Sequence, residues 1–400
     1  MRTLDWIVLF GTLIFIISYG LWRSRGSNTV KKYLLADKTM PWYAMALSIM
    51  ATQASAITFI STTGQAYVDG MRFVQFYLGL PLAMILISMT AVPIFHRSGV
   101  YTAYEYLGKR FDAKTRLLVS IIFLLQRGLA VGVALYAPSV VLTVLLGWPD
   151  KITTLIMGVV VLIYTVTGGI QAITWTDVQQ MIVMFVGLAI SLFCAIQFLP
   201  ADVSFYDAVT IAGAAGRLNA IVLDFSWNDR YNLWSGLLGG MFLALAYFGT
   251  DQSQVQRYLT GKSISQSRLS LLFNAIAKIP MQFFILFTGA MVFVFFTFEK
   301  PPILFEPRQL ANIERKAEFG DLKARYDRAF EERRTAARNY TKRQDSARLE
   351  SYRTAQRTLD GVKTEAGELT GTRGFNDTNF VFLSFVTKYL PVGVVGLIMA

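Results

Sequence analysis

Residues 51–58 read Ala-Thr-Gln-Ala-Ser-Ala-Ile-Thr, so Thr52, Gln53, Ser55 and Thr58 place four hydrogen-bonding side chains inside an otherwise apolar stretch. In lipid every such group needs a partner, and a polar cluster there needs a reason. Two readings fit. One is close helix packing through small and hydroxyl residues. The other is a helix broken at this point, whose freed carbonyls bind a cation. The octet contains neither Gly nor Pro to mark a break.

Four charged residues fall in or beside apolar stretches. Arg127 and Lys278 each lie about ten residues into one, where a charge is costly unless it is paired, faces water or snorkels outward. Asp177 in Thr176-Asp177-Val178-Gln179-Gln180 and Asp251 in Gly249-Thr250-Asp251-Gln252 stand at stretch ends. A carboxylate there either caps a helix or serves a site. Cys194 is the only Cys and His96 the only His. An intrachain disulfide, a His/Cys metal cluster and a Ser-His or Cys-His nucleophile not built on His96 are thereby excluded. His96, beside Arg97 at the end of an apolar run, reads as an interfacial residue.

The elements that position these groups follow from composition. Of 400 residues, 54% are apolar and 16% charged, whereas soluble domains devote about a quarter of their residues to charge. The formal charge of +12 does not indicate nucleic acid, because the basic residues sit in short runs between long apolar stretches. The chain reads as an all-α integral membrane protein with the lipid bilayer as solvent.

At about 20 apolar residues per crossing, nine spans are expected, roughly 5–22, 43–66, 74–95, 117–146, 152–169, 178–198, 233–250, 268–298 and 378–400. The first has no small-residue cleavage site after it and reads as a retained span. The loop after span one carries Arg23, Arg25, Lys31, Lys32 and Lys38. The loop after span three carries Arg97, Lys109, Arg110, Lys114 and Arg116, and the loop after span seven Arg257, Lys262 and Arg268. Short loops of the other parity hold only Arg72, Lys151, Arg217 and Arg230. The positive-inside rule makes the first set cytoplasmic and the N-terminus external. Residues 299–376 differ from the rest. Charges of both signs recur at helical spacing, as in Glu331-Glu332-Arg333-Arg334, which predicts one or two long polar helices forming an external insertion.

Four motifs resemble the sodium/solute symporter family. They are Ser55-Ala56-Ile57-Thr58-Phe59; Tyr104-Glu105-Tyr106-Leu107-Gly108-Lys109-Arg110-Phe111; Gly168-Gly169-Ile170-Gln171-Ala172 with Trp175-Thr176-Asp177-Val178-Gln179; and Thr250-Asp251-Gln252-Ser253-Gln254-Val255-Gln256-Arg257-Tyr258-Leu259. Each is weak to moderate alone, and their order along the chain matches the family. The resemblance covers spans two to nine and leaves 299–376 outside.

The resemblance implies the LeuT-type inverted-repeat helical bundle. Residues 1–298 would hold an extra N-terminal helix and core helices one to seven, and 377–400 would begin core helix eight. On this expectation the chain looks truncated, without the later core helices and without the hydroxyl pair that completes the family's main sodium site. The remaining half of that site maps to the carbonyls of Ala51 and Ala54. A second sodium site in some members uses an Asp like Asp177. Ser55 and Thr58 match sialic-acid contacts of the sialate branch, with Gln53 where that branch has Thr. Arg127 shares a helix with the branch's Arg, about one turn from the aligned position. Gln75 and Asp251 are further candidate substrate contacts, and Lys278 matches a Lys of sugar carriers. Thr58 and Tyr77 stand where sugar carriers have Gln and Glu.

The implied function is sodium-coupled import of a small organic solute by alternating access, not an enzyme reaction, in the plasma membrane of a bacterium. Sodium is the co-substrate and no other cofactor is expected. A membrane Arg beside hydroxyls suits a carboxylate, which favours an organic anion such as a sialic acid. A non-transporting sensor, a sugar carrier and proton coupling through Asp177 are the alternatives.

Overall fold

The computed structural model describes residues 2–24, 29–55 and 57–400, and of residues 57, 137, 140, 141, 144–146, 150 and 164 the backbone alone. The elements in order are α1 (Thr3–Arg23), α2 (Val30–Leu35), α3 (Trp42–Gln53), α4 (Thr62–Asp69), α5 (Leu80–Met89), α6 (Ala91–Ser98), α7 (Ala103–Arg110), α8 (Ala113–Leu146), α9 (Asp150–Gln197) and α10 (Phe205–Ala214). They continue with α11 (Gly240–Thr250), α12 (Gln252–Leu259), α13 (Ile264–Phe298), α14 (Pro307–Ile313), α15 (Phe319–Lys342), α16 (Ser346–Glu368), α17 (Thr378–Tyr389) and α18 (Val394–Met399).

Among the described residues, five helical runs are long and apolar enough to cross a membrane: Thr3–Arg23, Thr58–Ser98, Ala113–Tyr136, Thr165–Gln197 and Ile264–Phe298. Shorter apolar helices cover Lys151–Ile163 and Ser235–Thr250. The difference from nine expected spans has a physical cause. Several stretches are interrupted, so single helices fall short although the apolar stretch does not. Expected spans five and six are one run, α9, which turns at Gly169 with φ 59° and ψ −166°. Only glycine adopts that backbone without strain. Asp177 therefore does not open a helix, as its sequence position suggested, but lies two turns past this turn.

The last thirty-five apolar-rich residues before the charged segment form the centre. α13 packs against α3, α4, α5 and α9, and every residue from Thr288 to Phe298 is buried. α4 lies between α13 and α17. A Cβ at Gly64 would overlap the Thr378 carbonyl, and one at Gly289 would overlap that of Thr63. Small residues are what permit backbones to approach this closely.

The basic loops after the first, third and seventh expected spans converge on one face. Gln256 Nε2 donates to the Leu34 carbonyl at 2.8 Å, the Met40 amide to Thr260 at 3.3 Å, and Gln252 Nε2 to Tyr101 at 3.1 Å. Arg25 of the basic set lies outside the described residues. The opposite end carries the Arg72–Asp229 ion pair and the Met71–Arg217 backbone bond. It also carries the hairpin of α15 and α16.

That hairpin has its own apolar seam. Leu322, Tyr326 and Phe330, spaced four apart on one face of α15, pack with Leu359, Val362 and Ala366 of α16. It docks through arginines. Arg333, 1% exposed, donates to the Phe296 carbonyl at 2.5 Å in the last turn of α13. Arg353 Nε donates at 3.0 Å to Ala214, the last residue of α10. Arg217, which follows α10 and is not part of the hairpin, likewise reaches the Val68 carbonyl near the end of α4. Each cation meets carbonyls that a helix end leaves without partners, at the negative pole of the helix dipole.

Candidate functional site

The polar octet is a break. α3 ends at Gln53, and Ala54 leaves the helical region with φ −97° and ψ 71°. The chain resumes as one wide turn over Ile57–Ser61 that leads into α4. Side-chain hydroxyls make the break possible without Gly or Pro. Thr58 Oγ1 donates to the Gln53 carbonyl at 3.0 Å, and Thr52 Oγ1 to that of Ser48 at 2.8 Å. Such local bonds offer the backbone an alternative to the helical ladder. Ala56 lies outside the described residues. The bonds use Thr58 to shape the chain, and Ser55 Oγ accepts from the Thr58 amide at 3.5 Å.

Facing the break is a polar stripe on α13. Asn274, Lys278 and Gln282 are spaced four apart, which places them on one helix face, and all three are 0% exposed. Gln53 Nε2 donates to Asn274 Oδ1 at 3.3 Å. Asn274 Nδ2, Lys278 Nζ and both amide atoms of Gln282 are buried without a hydrogen-bond partner among the described residues. Lys278 Nζ stands 5.4 Å from the Tyr77 ring centroid. A lysine buried against an aromatic face is costly to charge, and an anion that enters beside it favours the charged form.

A cavity of about 560 Å³ adjoins the break. Thr52 and Gln53 line it from α3, Tyr77 from the turn before α5, Gln126 from α8, and Tyr247 and Asp251 from the end of α11. Tyr104 also lines it and donates to the Thr250 carbonyl at 3.0 Å. Burial pushes the Tyr104 hydroxyl up to about 12, so it remains a donor near neutral pH.

Two ion pairs hold α12. Arg127 pairs with Asp251 and donates to Ser253 Oγ at 2.9 Å. Asp251 also caps α12, accepting from the Ser253 amide at 2.9 Å. At the other end Arg257 Nη2 meets Asp177 Oδ2 at 3.1 Å, and Ser48 Oγ donates to the same carboxylate oxygen at 2.6 Å.

The structure brings Gln53 and Asp251 to the cavity wall, and places Lys278 behind that wall, against the Tyr77 ring and not among the cavity-lining residues. It takes Arg127 to Asp251, so that charge is already balanced. Gln75 is placed elsewhere. It is fully buried, with Nε2 donating to Tyr231 at 2.9 Å and Oε1 accepting from the Val222 amide at 2.8 Å. Its amide thus secures the loop at 222–231 and is not among the cavity-lining residues. Asp177 meets Ser48, one turn before Ala51, rather than the break at Ala51 and Ala54. Sequence reading missed Asn274 and Gln282, although their four-residue spacing around Lys278 was a signal. It took Arg257 as a topogenic charge and as part of the motif at 250–259, without a partner. Ser48 carried no signal.

Comparison with known proteins agrees with this architecture. The model of the sodium:solute symporter family matches residues 33–313. A sodium-dependent multivitamin transporter of Oryctolagus cuniculus is 33% identical over 271 residues, covering 66% of this chain and 42% of that protein. The sodium-coupled monocarboxylate transporter 2 of Bos taurus is 31% identical over 296 residues, covering 73% and 48%. The human sodium/iodide cotransporter is 28% identical, covering 75% and 47%. The chain thus spans about half the length of the curated relatives it matches. A solved structure of a Na+-coupled sialic acid symporter, in a substrate-bound outward-open state, superposes with a TM-score of 0.72 at 23% identity, over 100% of this chain and 69% of that one. This likeness establishes the fold, a helical bundle of the LeuT type. The relatives are secondary transporters rather than enzymes. The chain belongs to the sodium:solute symporter family.

Proposed function

We propose that this protein is a sodium-coupled secondary transporter that imports a small organic anion by alternating access. The observation that carries the substrate class is Lys278, a buried lysine without a carboxylate or hydrogen-bond partner among the described residues, one turn along α13 from Asn274, which Gln53 at the break contacts. A carboxylate beside Lys278 supplies the missing charge, while Gln53, Asn274 and Gln282 offer amides for the rest of the solute. Arg127, favoured by sequence for this role, is neutralised by Asp251. Monocarboxylate, iodide and sialic acid, which name three of the relatives, are anions near neutral pH.

Sodium enters as co-substrate. Carbonyls at Ala51 and Ala54, on the N-terminal side of the break, are the proposed ligands from this chain, and Asp177 a second locus. A cation held there would stabilise the broken helix that also shapes the solute site, so each would raise the other's affinity by the same factor. A tenfold sodium gradient supplies about 1.4 kcal/mol, and about 100 mV adds about 2.3 kcal/mol per charge. Together these sustain roughly 500-fold accumulation per sodium. The convergence of the three basic loops on one face supports a cytoplasmic placement of that face, with the N-terminus and the α15–α16 hairpin outside.

The test is uptake of radiolabelled lactate into proteoliposomes under an imposed inward sodium gradient, with lactamide as the neutral comparison and further monocarboxylates in parallel. Sodium-stimulated entry of an acid but not its amide is expected. Entry that ignores sodium and follows a proton gradient would overturn sodium coupling. Preference for the amide would overturn the anion reading.

A further inference from the structure

A second cavity, of about 590 Å³, lies where the hairpin meets the outer ends of α4, α13 and α17. It shares no lining residue with the cavity at the break. Tyr67 in its wall is fourteen residues beyond Gln53, roughly 20 Å along a helical path.

Its charges are arranged by depth. Arg333 lines the inside and is 1% exposed, and its Nε is buried without a partner among the described residues. Arg217 is half-buried and its Nε is likewise buried and unpartnered. Lys363, also half-buried, makes no ion pair among the described residues. Its Nζ lies 4.5 Å from the centroid of Phe305 and 5.9 Å from that of Tyr67. The acidic residues sit differently. Asp360 and Glu368 are exposed on the rim, where water screens them. Asp377 already accepts from the Phe305 amide at 2.5 Å. Apart from Asp377, the inner wall is therefore cationic and aromatic, and the two other acids are exposed at the rim, Asp360 accepting there from Gln356 Nε2 at 2.8 Å.

We propose that this outer cavity is a binding site for a small organic anion with an apolar body, its carboxylate received by Arg217, Arg333 and Lys363 and its body by Tyr67 and Phe305. A guanidinium keeps its charge when buried; Nη1 and Nη2 of Arg333 already donate to Gln356 and Phe296 and Nη1 of Arg217 to Val68, so these two residues contribute their charge and their remaining donors. The aromatic faces give the body an apolar surface. The hairpin supplies two of the three cations, so the site exists only because the 299–376 segment folds back onto the bundle. The inference does not rest on the transport reading. The site needs neither sodium nor a conformational cycle.

The experiment is equilibrium dialysis of radiolabelled benzoate against the purified full chain in nanodiscs without sodium, with benzamide as the neutral competitor. Lys278→Met, which removes the cation at the break, is the background in which the outer site is read alone. Benzoate binding is expected to persist in Lys278→Met, to fall about tenfold when Lys363→Gln is added, as loss of one charge-assisted contact implies, and to resist competition by benzamide. Lys363 is half-buried and bonds to no backbone among the described residues, so its replacement leaves the fold intact; unchanged thermal unfolding confirms this. Loss of all benzoate binding in Lys278→Met alone, equal binding with and without Lys363→Gln, or equal competition by benzamide would each overturn the proposal. Lactate uptake in proteoliposomes is measured separately, so either reading can fail without the other.

Discussion

Arg257 Nη2 lies 3.1 Å from Asp177 Oδ2, and the Ser48 hydroxyl donates to the same oxygen at 2.6 Å. Arg257 Nε also donates to Ser48 Oγ at 2.9 Å, so three residues from α3, α9 and α12 form a closed triangle. The two charged side chains are only 11% and 13% exposed. Removing one partner of a buried pair strands the other, at a cost of about 3–5 kcal/mol. Arg257→Gln and Asp177→Asn should each lower thermal stability in nanodiscs, and the double variant should lose less than their sum. Additive losses would show that the two charges are not coupled.

The same carboxylate is the proposed second sodium locus. Asp177→Ala is expected to right-shift the sodium dependence of uptake. Superimposable sodium curves for wild type and variant would remove Asp177 from sodium coupling and leave it as the anchor of α12.

Lys278 gives the opposite expectation for stability. Lys278→Met keeps the volume and discards a buried charge that has no partner among the described residues. Stability should hold or rise, while uptake of an organic anion should fall more than tenfold. Calorimetry and uptake on one preparation read both effects. Full uptake in this variant would place the solute's negative end elsewhere.

Gly64 is where α4 meets α17, and any Cβ there would overlap the Thr378 carbonyl. Gly64→Val should destabilise by about 1–3 kcal/mol through forced backbone displacement. Gly11→Val is the comparison, since a Cβ there meets nothing within 4 Å. Equal melting temperatures for the two variants would contradict the close approach.

Burial and the neighbouring Asp377 carboxylate hold Glu306 above its ordinary 4.5. The folded state then binds more protons than the unfolded chain in the window just above pH 4.5. Stability should therefore decline as pH rises through that window. Glu306→Gln should flatten this part of the pH–stability curve, as followed by intrinsic fluorescence.

Membrane class and helical content were legible in the residues, because lipid exposure and backbone satisfaction act on composition over about 20 residues at a time. The octet at 51–58 flagged a special place, and the family resemblance followed from motifs in order. What the octet did could not be read. Thr58 can pack a helix or replace a helical hydrogen bond, and only the position of the Gln53 carbonyl decides between them. Asp177 looked like a helix start because sequence does not show that the residue making the turn is Gly169. Arg127 and Lys278 looked alike as membrane cations, yet one has a carboxylate partner 124 residues away and the other has none among the described residues. Net electrostatics depends on which charges meet across the bundle, and contacts between distant segments are set by packing rather than by local pattern. The sequence by itself thus determined the solvent this chain folds in and the residues available for chemistry. The tertiary structure decided which of those residues are already neutralised and which still call for a ligand.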